Sequence, residues 1–195
     1  MIKFIKYFRK ALPFNWKEYH DFLDDDIDGG TDWKGVSLQL NLNEEINITT
    51  ENINILKSVF MYVVSCLDDG SYWIINLTFN KIKWFVIEDD SLPGLRNLFN
   101  LNDISPDYTG GIMMRKDDLL KFGRELIVYP VFQKRGEIDI VHGNIQFIIK
   151  FTNHFEINLL STDAVLLKEI VIQMMPGKIF IKQYRGTCLN IEGIN

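Results

Sequence analysis

The sequence predicts an α+β domain with a largely antiparallel β-sheet packed by about three to four helices, and three observations predict it. Strand-like segments come in runs, with helical segments outside them, which is how a segregated α+β fold reads. In the second half, residues 125–132, 137–141, 144–152 and 155–160 are separated by QKRG, HG and NH, spacings that suit an antiparallel meander. The clearest helix carries Ile53, Leu56, Val59, Phe60, Val63, Val64 and Leu67 at i, i+3, i+4 spacing, an apolar stripe that needs a sheet or a second helix to cover it.

The chain has 195 residues, the size of one ordinary domain, and 47% of it is apolar, enough for a sizeable core. Residues 1–195 are therefore read as a single domain. Residues 91–111, with Leu92-Pro93-Gly94, Ser105-Pro106 and Gly110-Gly111, form the one candidate internal boundary.

In chain order, Ile2, Phe4, Ile5, Phe8 and Leu12 fall near helical spacing, with Lys3, Lys6, Arg9 and Lys10 on the other face. This predicts a terminal helix docked on the core, with a membrane-surface helix as the alternative. Pro13 suits the first turn of a second helix, whose stripe is Trp16, Tyr19, Phe22 and Leu23. Val36, Leu38, Leu40 and Leu42 alternate with polar residues and predict a half-buried strand. Thr49 or Thr50 is placed to cap the periodic helix, which stops at Asp68-Asp69-Gly70. Residues 72–79 and 82–88 read as two strands of a hairpin joined at Asn80-Lys81, and residues 95–99 as a short helix. After the meander, Ser161 or Thr162 is placed to cap a helix over 163–174, stopped by Pro176-Gly177, and residues 178–184 read as a last strand.

Charge narrows the function classes. The net charge is −5, and residues 1–111 hold 10 Lys/Arg against 17 Asp/Glu, so the acidity belongs to the first half. An acidic chain without a basic stripe lacks the footprint that displaces counterions from nucleic acid. A basic protein partner fits better, because opposite fields speed encounter and select partners. No apolar run approaches the ~18 residues of a membrane span, and the basic N-terminus lacks the h-region and cleavage site of a secretory signal. Cys66 and Cys188 have no CxxC spacing and read as reduced core thiols of a cytoplasmic protein.

The stretch DDDIDGGTDWKG carries five aspartates and three glycines in twelve residues. Counted as a calcium loop from Asp24, it supplies Asp26, Asp28 and Asp32 at ligand positions 3, 5 and 9 and Gly29 at the sharp turn. Position 12, where a bidentate glutamate belongs, is Gly35, and a strand follows in place of a helix; Asp24, Asp26, Asp28 and Asp32 would thus hold Ca²⁺ weakly. The alternatives are a solvated acidic turn, or a binding surface in which Trp33 is the aromatic anchor. His20, His142 and His154 show no metal-ligand spacing, with the latter two read as strand-end residues, and no nucleophile elbow, P-loop or dinucleotide fingerprint occurs. These observations predict neither a catalytic residue nor a cofactor.

Leu12-Pro13-Phe14-Asn15-Trp16-Lys17-Glu18-Tyr19, followed by Phe22-Leu23 and Gly29-Gly30, resembles the opening of SUKH-type immunity proteins, in which a helix starting at Leu-Pro ends shortly before Gly-Gly. The resemblance is confined to this segment, and the aspartates lengthen the spacer before the glycines. It implies a small cytosolic, non-enzymatic α+β protein that occludes a toxin of a bacterial polymorphic or contact-dependent system, commonly a basic nuclease. The residues expected to meet such a toxin are Asp24, Asp25, Asp26, Asp28, Asp32 and Trp33, with Asp68, Asp69, Glu88, Asp89 and Asp90 as further acidic loop positions. A regulatory or scaffold domain that binds another protein is the alternative, and an enzyme of unknown class the third reading.

Overall fold

The computed structural model describes residues 1–24, 32–40, 49–67, 70–78, 82–87, 91–134, 137–174, 179–184, 187 and 189. Its centre is an eight-stranded sheet in which every pairing is antiparallel. In chain order the strands are β1 (Lys3–Ile5), β2 (Lys34–Leu40), β3 (Tyr72–Leu77), β4 (Gly111–Arg115), β5 (Ile138–His142), β6 (Phe147–Phe151), β7 (Ile157–Ser161) and β8 (Ile179–Gln183). The spatial order is β1-β4-β3-β5-β6-β7-β2-β8, so the β5-β6-β7 meander occupies the middle of the sheet. Six α-helices are described: α1 (Trp16–Asp24), α2 (Thr50–Cys66), α3 (Pro93–Leu101), α4 (Lys116–Lys121), α5 (Gly123–Phe132) and α6 (Ala164–Gln173). The α+β class and the antiparallel sheet are as the sequence predicts.

Each face of the sheet has its own core. On one face Val36, Leu38, Trp73, Ile75, Ile112, Ile140, Phe147, Ile149 and Leu159 pack against α2, α3, α5 and α6. On the other, Ile74, Val141, Ile148 and Leu160 pack beneath α1 and the 3-10 turn Phe8–Ala11 through Phe8, Trp16, Tyr19 and Phe22. Because both faces are covered, all five residues of β6 are buried, and the strand reads as a nearly continuous apolar run. Thr49 caps α2 by accepting the Asn52 amide at 3.1 Å.

Several local expectations are corrected. Residues 2–12 form edge strand β1 and the 3-10 turn, not a helix: Phe4 and Phe8 face different packing partners, and β1 pairs with β4. Pro13 precedes α1 without entering it, and Asn15 caps the helix, its Oδ1 accepting the Lys17 amide at 2.9 Å. The N-cap of α6 is Asp163, which accepts the Val165 and Leu166 amides, and not Ser161 or Thr162.

Residues 82–87 are not a strand. Trp84 donates its indole N–H to the Gly110 carbonyl at 2.8 Å, and the Val86 and Ile87 amides donate to Gln133 Oε1 at 2.9 and 3.0 Å. The two amides are thus satisfied by the buried Gln133 side chain and the indole by a backbone carbonyl, while β4 takes the place beside β3. Residues 125–132 lie in helix α5 and not in a strand. The run from Leu126 to Pro130 is buried on every side, so the helix shows no amphipathic period, and Pro130 is tolerated inside it under tertiary packing. Cys66 is exposed at the end of α2 and is not a core thiol.

Candidate functional site

The pairing register places the acidic stretches. Lys34 lies opposite Ser161, Ser161 opposite Phe147, His142 opposite Trp73, and Trp73 opposite Met114. The starts of β2, β3 and β6 therefore share one end of the sheet with the ends of β4, β5 and β7. The strand that follows residues 24–32 and the strand that follows residues 68–69 begin at this same end. They are four strand spacings apart, about 19 Å. Residues 88–90 follow the segment that leaves β3 from the opposite end.

Of the residues expected to meet a partner, Asp32 is exposed and Asp24 is the last residue of α1. Asp25, Asp26, Asp28, Asp68, Asp69, Glu88, Asp89 and Asp90 lie outside the described residues, as do most ligands of the calcium reading. Among the described residues no cluster of three His, Cys, Asp or Glu side chains could hold a metal ion. Trp33 is the correction: it is 4% exposed, not a surface aromatic. Its ring meets Phe14 edge-on at 5.0 Å, Tyr19 at 5.3 Å and stacks on Phe22 at 6.2 Å. The indole thus pins the end of the acidic stretch to the body, where it leaves Asp32 in solvent.

At the same end of the sheet, on the α1 side, a cleft of about 330 Å³ opens between the 3-10 turn and the strands. Ala11, Tyr72, Ile74, Met113, Arg115 and Asn144 line it. A second lobe of about 230 Å³ shares Gly70, Ser71 and Arg115 and adds Lys116 and Asp117. Tyr72 and Arg115 are directly opposed on β3 and β4, and the guanidinium lies over the phenol ring at 4.0 Å.

The wall of the cleft is held by His142, which is buried and not a surface strand-end residue. Its Nδ1 accepts the Asn144 and Ile145 amides at 3.2 and 3.3 Å, so Nε2 carries the proton and donates to the Leu67 carbonyl at 2.9 Å. Gly143 donates its amide to the Tyr72 carbonyl at 2.8 Å, and Asn144 Nδ2 donates to Ser71 Oγ. A Cβ on Gly143 would stand 2.5 Å from the Tyr72 oxygen, so the close approach of these two backbones requires glycine.

A buried polar row runs across the same face of the sheet, away from the cleft. Asn76, Asp139, Lys150, Asn158 and Ser37 are successive cross-strand neighbours from β3 to β2. Lys150 and Asp139 are both 0% exposed. The ammonium donates to Asp139 Oδ1 at 2.8 Å, Glu137 Oε2 at 2.9 Å and Thr78 Oγ1 at 2.9 Å, and Tyr19 of α1 donates its hydroxyl to Asp139 Oδ1 at 3.1 Å. Burial works against the Lys150 ammonium, but Asp139 and Glu137 outweigh it and hold its pKa above the ordinary lysine value. Burial raises Asp139 above the usual carboxylate range, with Lys150 pulling it back. Burial and the neighbouring Asp139 raise Tyr19 well above the ordinary tyrosine value, so its hydroxyl keeps its proton as donor. Asp139 Oδ2 and Asn76 Oδ1 have no partner among the described residues. Asp139 lines neither lobe of the cleft, so this raised carboxyl does not face a ligand site there.

Neither the cleft nor the row is among the features that the sequence predicts. A lysine inside FIIKF and an aspartate inside IDIVH were the available signals, since a charge within a strand buried on both sides needs a partner. No helix of the described residues is long and apolar enough to cross a membrane. Comparison of the chain with protein-family models, with curated proteins and with solved structures found no match.

Proposed function

We propose that the protein is a cytoplasmic, non-enzymatic inhibitor of the immunity type, which binds and neutralises a basic, nuclease-like bacterial toxin through acidic residues at one end of its sheet. The observation that carries this reading is the anchoring of the aspartate-rich stretch. Phe22 and Leu23 precede it, Trp33 follows it, and all three belong to one aromatic core, while Asp32 beside Trp33 stays exposed. Ties to one packed core on both flanks of an acidic segment shorten the range its ends can explore and so limit the entropy lost on binding. The resemblance of residues 12–30 to SUKH-type openings and the acidity of the first half support the same reading.

The strands that follow residues 24–32 and 68–69 begin about 19 Å apart, a span that one interface of about 800 Å² per partner covers. Carboxylates arrayed there would occupy the phosphate-binding positions of a nuclease or block the approach to them, and long-range attraction would speed encounter. The test is co-purification and stopped-flow association with the toxin domain encoded beside this gene. Asp26→Lys, Asp28→Lys and Asp32→Lys together are expected to slow association by roughly tenfold or more and to flatten its salt dependence. An unchanged association rate removes these residues from the interface, and a neighbouring toxin that does not bind the wild-type protein refutes the reading.

A further inference from the structure

The cleft beside Tyr72 is independent of the toxin-binding reading and carries its own chemistry. The Arg115 side chain has no hydrogen bond or ion pair with any described residue, although Asp117 lines the same lobe. The side chain is exposed, lies over the face of Tyr72 and lines both lobes, so its N–H donors are available to a ligand in the cleft. A guanidinium stacked on an aromatic ring with its donors unspent is arranged to grip a planar carboxylate with two parallel hydrogen bonds.

The remaining lining completes the description of the ligand. Ile74 and Met113 give an apolar floor beside the Tyr72 ring, and Ser71 and Asn144 supply a hydroxyl and an amide at the wall. The floor asks for an organic body on the anion. The charge balance asks for a single negative charge: the described lining carries Arg115 and Lys116 against Asp117, one positive charge in excess. A polyphosphate or nucleic acid would bring more negative charge than this excess, whereas one carboxylate matches it. The volume, about 330 Å³ with the adjoining lobe of about 230 Å³, is that of a small-molecule site. The wall is built in advance, because His142 and the Gly143 to Tyr72 contact fix the turn that carries Asn144.

We infer that this cleft binds a small organic monocarboxylate, with Arg115 as the carboxylate clamp and Tyr72, Ile74 and Met113 as the floor for the apolar body. Calorimetric titration of the full chain with phenylacetate, with its neutral isostere phenylacetamide and with inorganic phosphate tests it. Saturable binding of phenylacetate at one site is expected, with the amide and phosphate each at least about tenfold weaker, because the amide lacks the charge and second acceptor that the fork takes and phosphate lacks the apolar body that the floor takes. Arg115→Gln is expected to cost about tenfold or more, and Arg115→Lys nearly as much, since a lysine keeps the charge but loses the fork and the stacking. Thermal melts of both variants at the wild-type midpoint establish that they fold. Lys57→Gln, on α2 across the sheet, is expected to leave binding unchanged. No saturable binding of phenylacetate at millimolar concentration overturns the inference. So does equal binding of the amide, tighter binding of phosphate, an unaffected Arg115→Gln, or an equal loss in Lys57→Gln.

Discussion

Replacing Lys150 by Met removes the only cation of the buried row while keeping most of the volume of its stem. Lys150 is fully buried, 2.8 Å from Asp139 Oδ1 and 2.9 Å from Glu137 Oε2. At an effective dielectric constant of ~20 the closer contact alone is worth ~6 kcal/mol of gross attraction, most of it offset by the cost of taking both ions out of water. What the variant loses is better judged from the state it leaves, an uncompensated carboxyl beneath α1, for which about 3–5 kcal/mol is expected. Removing the cation also takes away what pulls Asp139 down, so its already raised pKa rises further. A carboxyl whose folded pKa exceeds its unfolded one binds more protons in the folded state, and stability then falls as pH rises from the ordinary carboxylate range, about 4, through the folded value. In the wild type the raised Lys150 contributes stability that is complete below the ordinary lysine pKa and is lost only in strong alkali. The gap between wild type and variant should therefore widen from acid towards neutral pH. Urea denaturation of both proteins at a series of pH values measures it. A gap that does not change with pH, or one below about 1 kcal/mol, would refute the argument that Lys150 and Asp139 form one coupled buried pair. Adding Asp139→Leu to the variant should recover most of the loss, because an apolar pair of similar volume often replaces a buried ion pair without penalty.

Trp33→Ala should cost about 3–5 kcal/mol in the same denaturation assay, as truncation of a large core aromatic does; a cost under ~1 kcal/mol would place the ring outside the core. Gly143→Ala is expected to lose about 1–3 kcal/mol, because its Cβ would meet the Tyr72 carbonyl oxygen at 2.5 Å and the backbones must part. A thermal melt with an unshifted midpoint would show that the turn gives way freely. Asp163→Ala removes the acceptor of the Val165 and Leu166 amides in the first turn of α6 and should lower stability by about 1 kcal/mol, read as a lower urea midpoint at unchanged slope.

What the sequence made legible follows from how each element is covered. Helix α2 has a solvent side, so its apolar stripe shows the helical period, and β2 shows alternation because Ser37 and Gln39 face a polar row while Val36 and Leu38 face the core. The meander was legible from its short turns. Helix α5 was not, because burial on all sides erases the period and leaves β-branched and aromatic residues that favour a strand. Residues 82–87 have strand composition, but two distant groups decide their shape, the Gln133 amide and the Gly110 carbonyl, and no local pattern reveals them. The candidate cleft failed for the same reason: Tyr72, Arg115 and Asn144 come from β3, β4 and the turn after β5, and only the register of three strands brings them together. The acidic stretches were legible as composition, whereas the burial of Trp33 depends on Phe14 and Phe22, eleven or more residues away.

The buried row and the acidic stretch are connected through α1. Tyr19 reaches down to Asp139 and also packs edge-on against Trp16 and beside Trp33, so one side chain ties the polar row to the aromatic cluster that bounds residues 24–32. That arrangement separates stability from surface charge. Packing energy resides in Phe14, Tyr19, Phe22 and Trp33, all outside the run of aspartates, and Asp32, the described member of that run beyond α1, is solvent-exposed and makes no contribution to the cluster. Charge reversal at Asp32 should therefore leave the urea midpoint within about 0.5 kcal/mol of wild type, whereas Trp33→Ala one residue on removes several. If both changes weaken partner binding but only the second weakens the fold, the loss in the first belongs to the surface itself. If Asp32→Lys unfolds the protein as readily as Trp33→Ala, the aspartate is part of the packing, and the separation of a fixed core from a presented acidic surface fails.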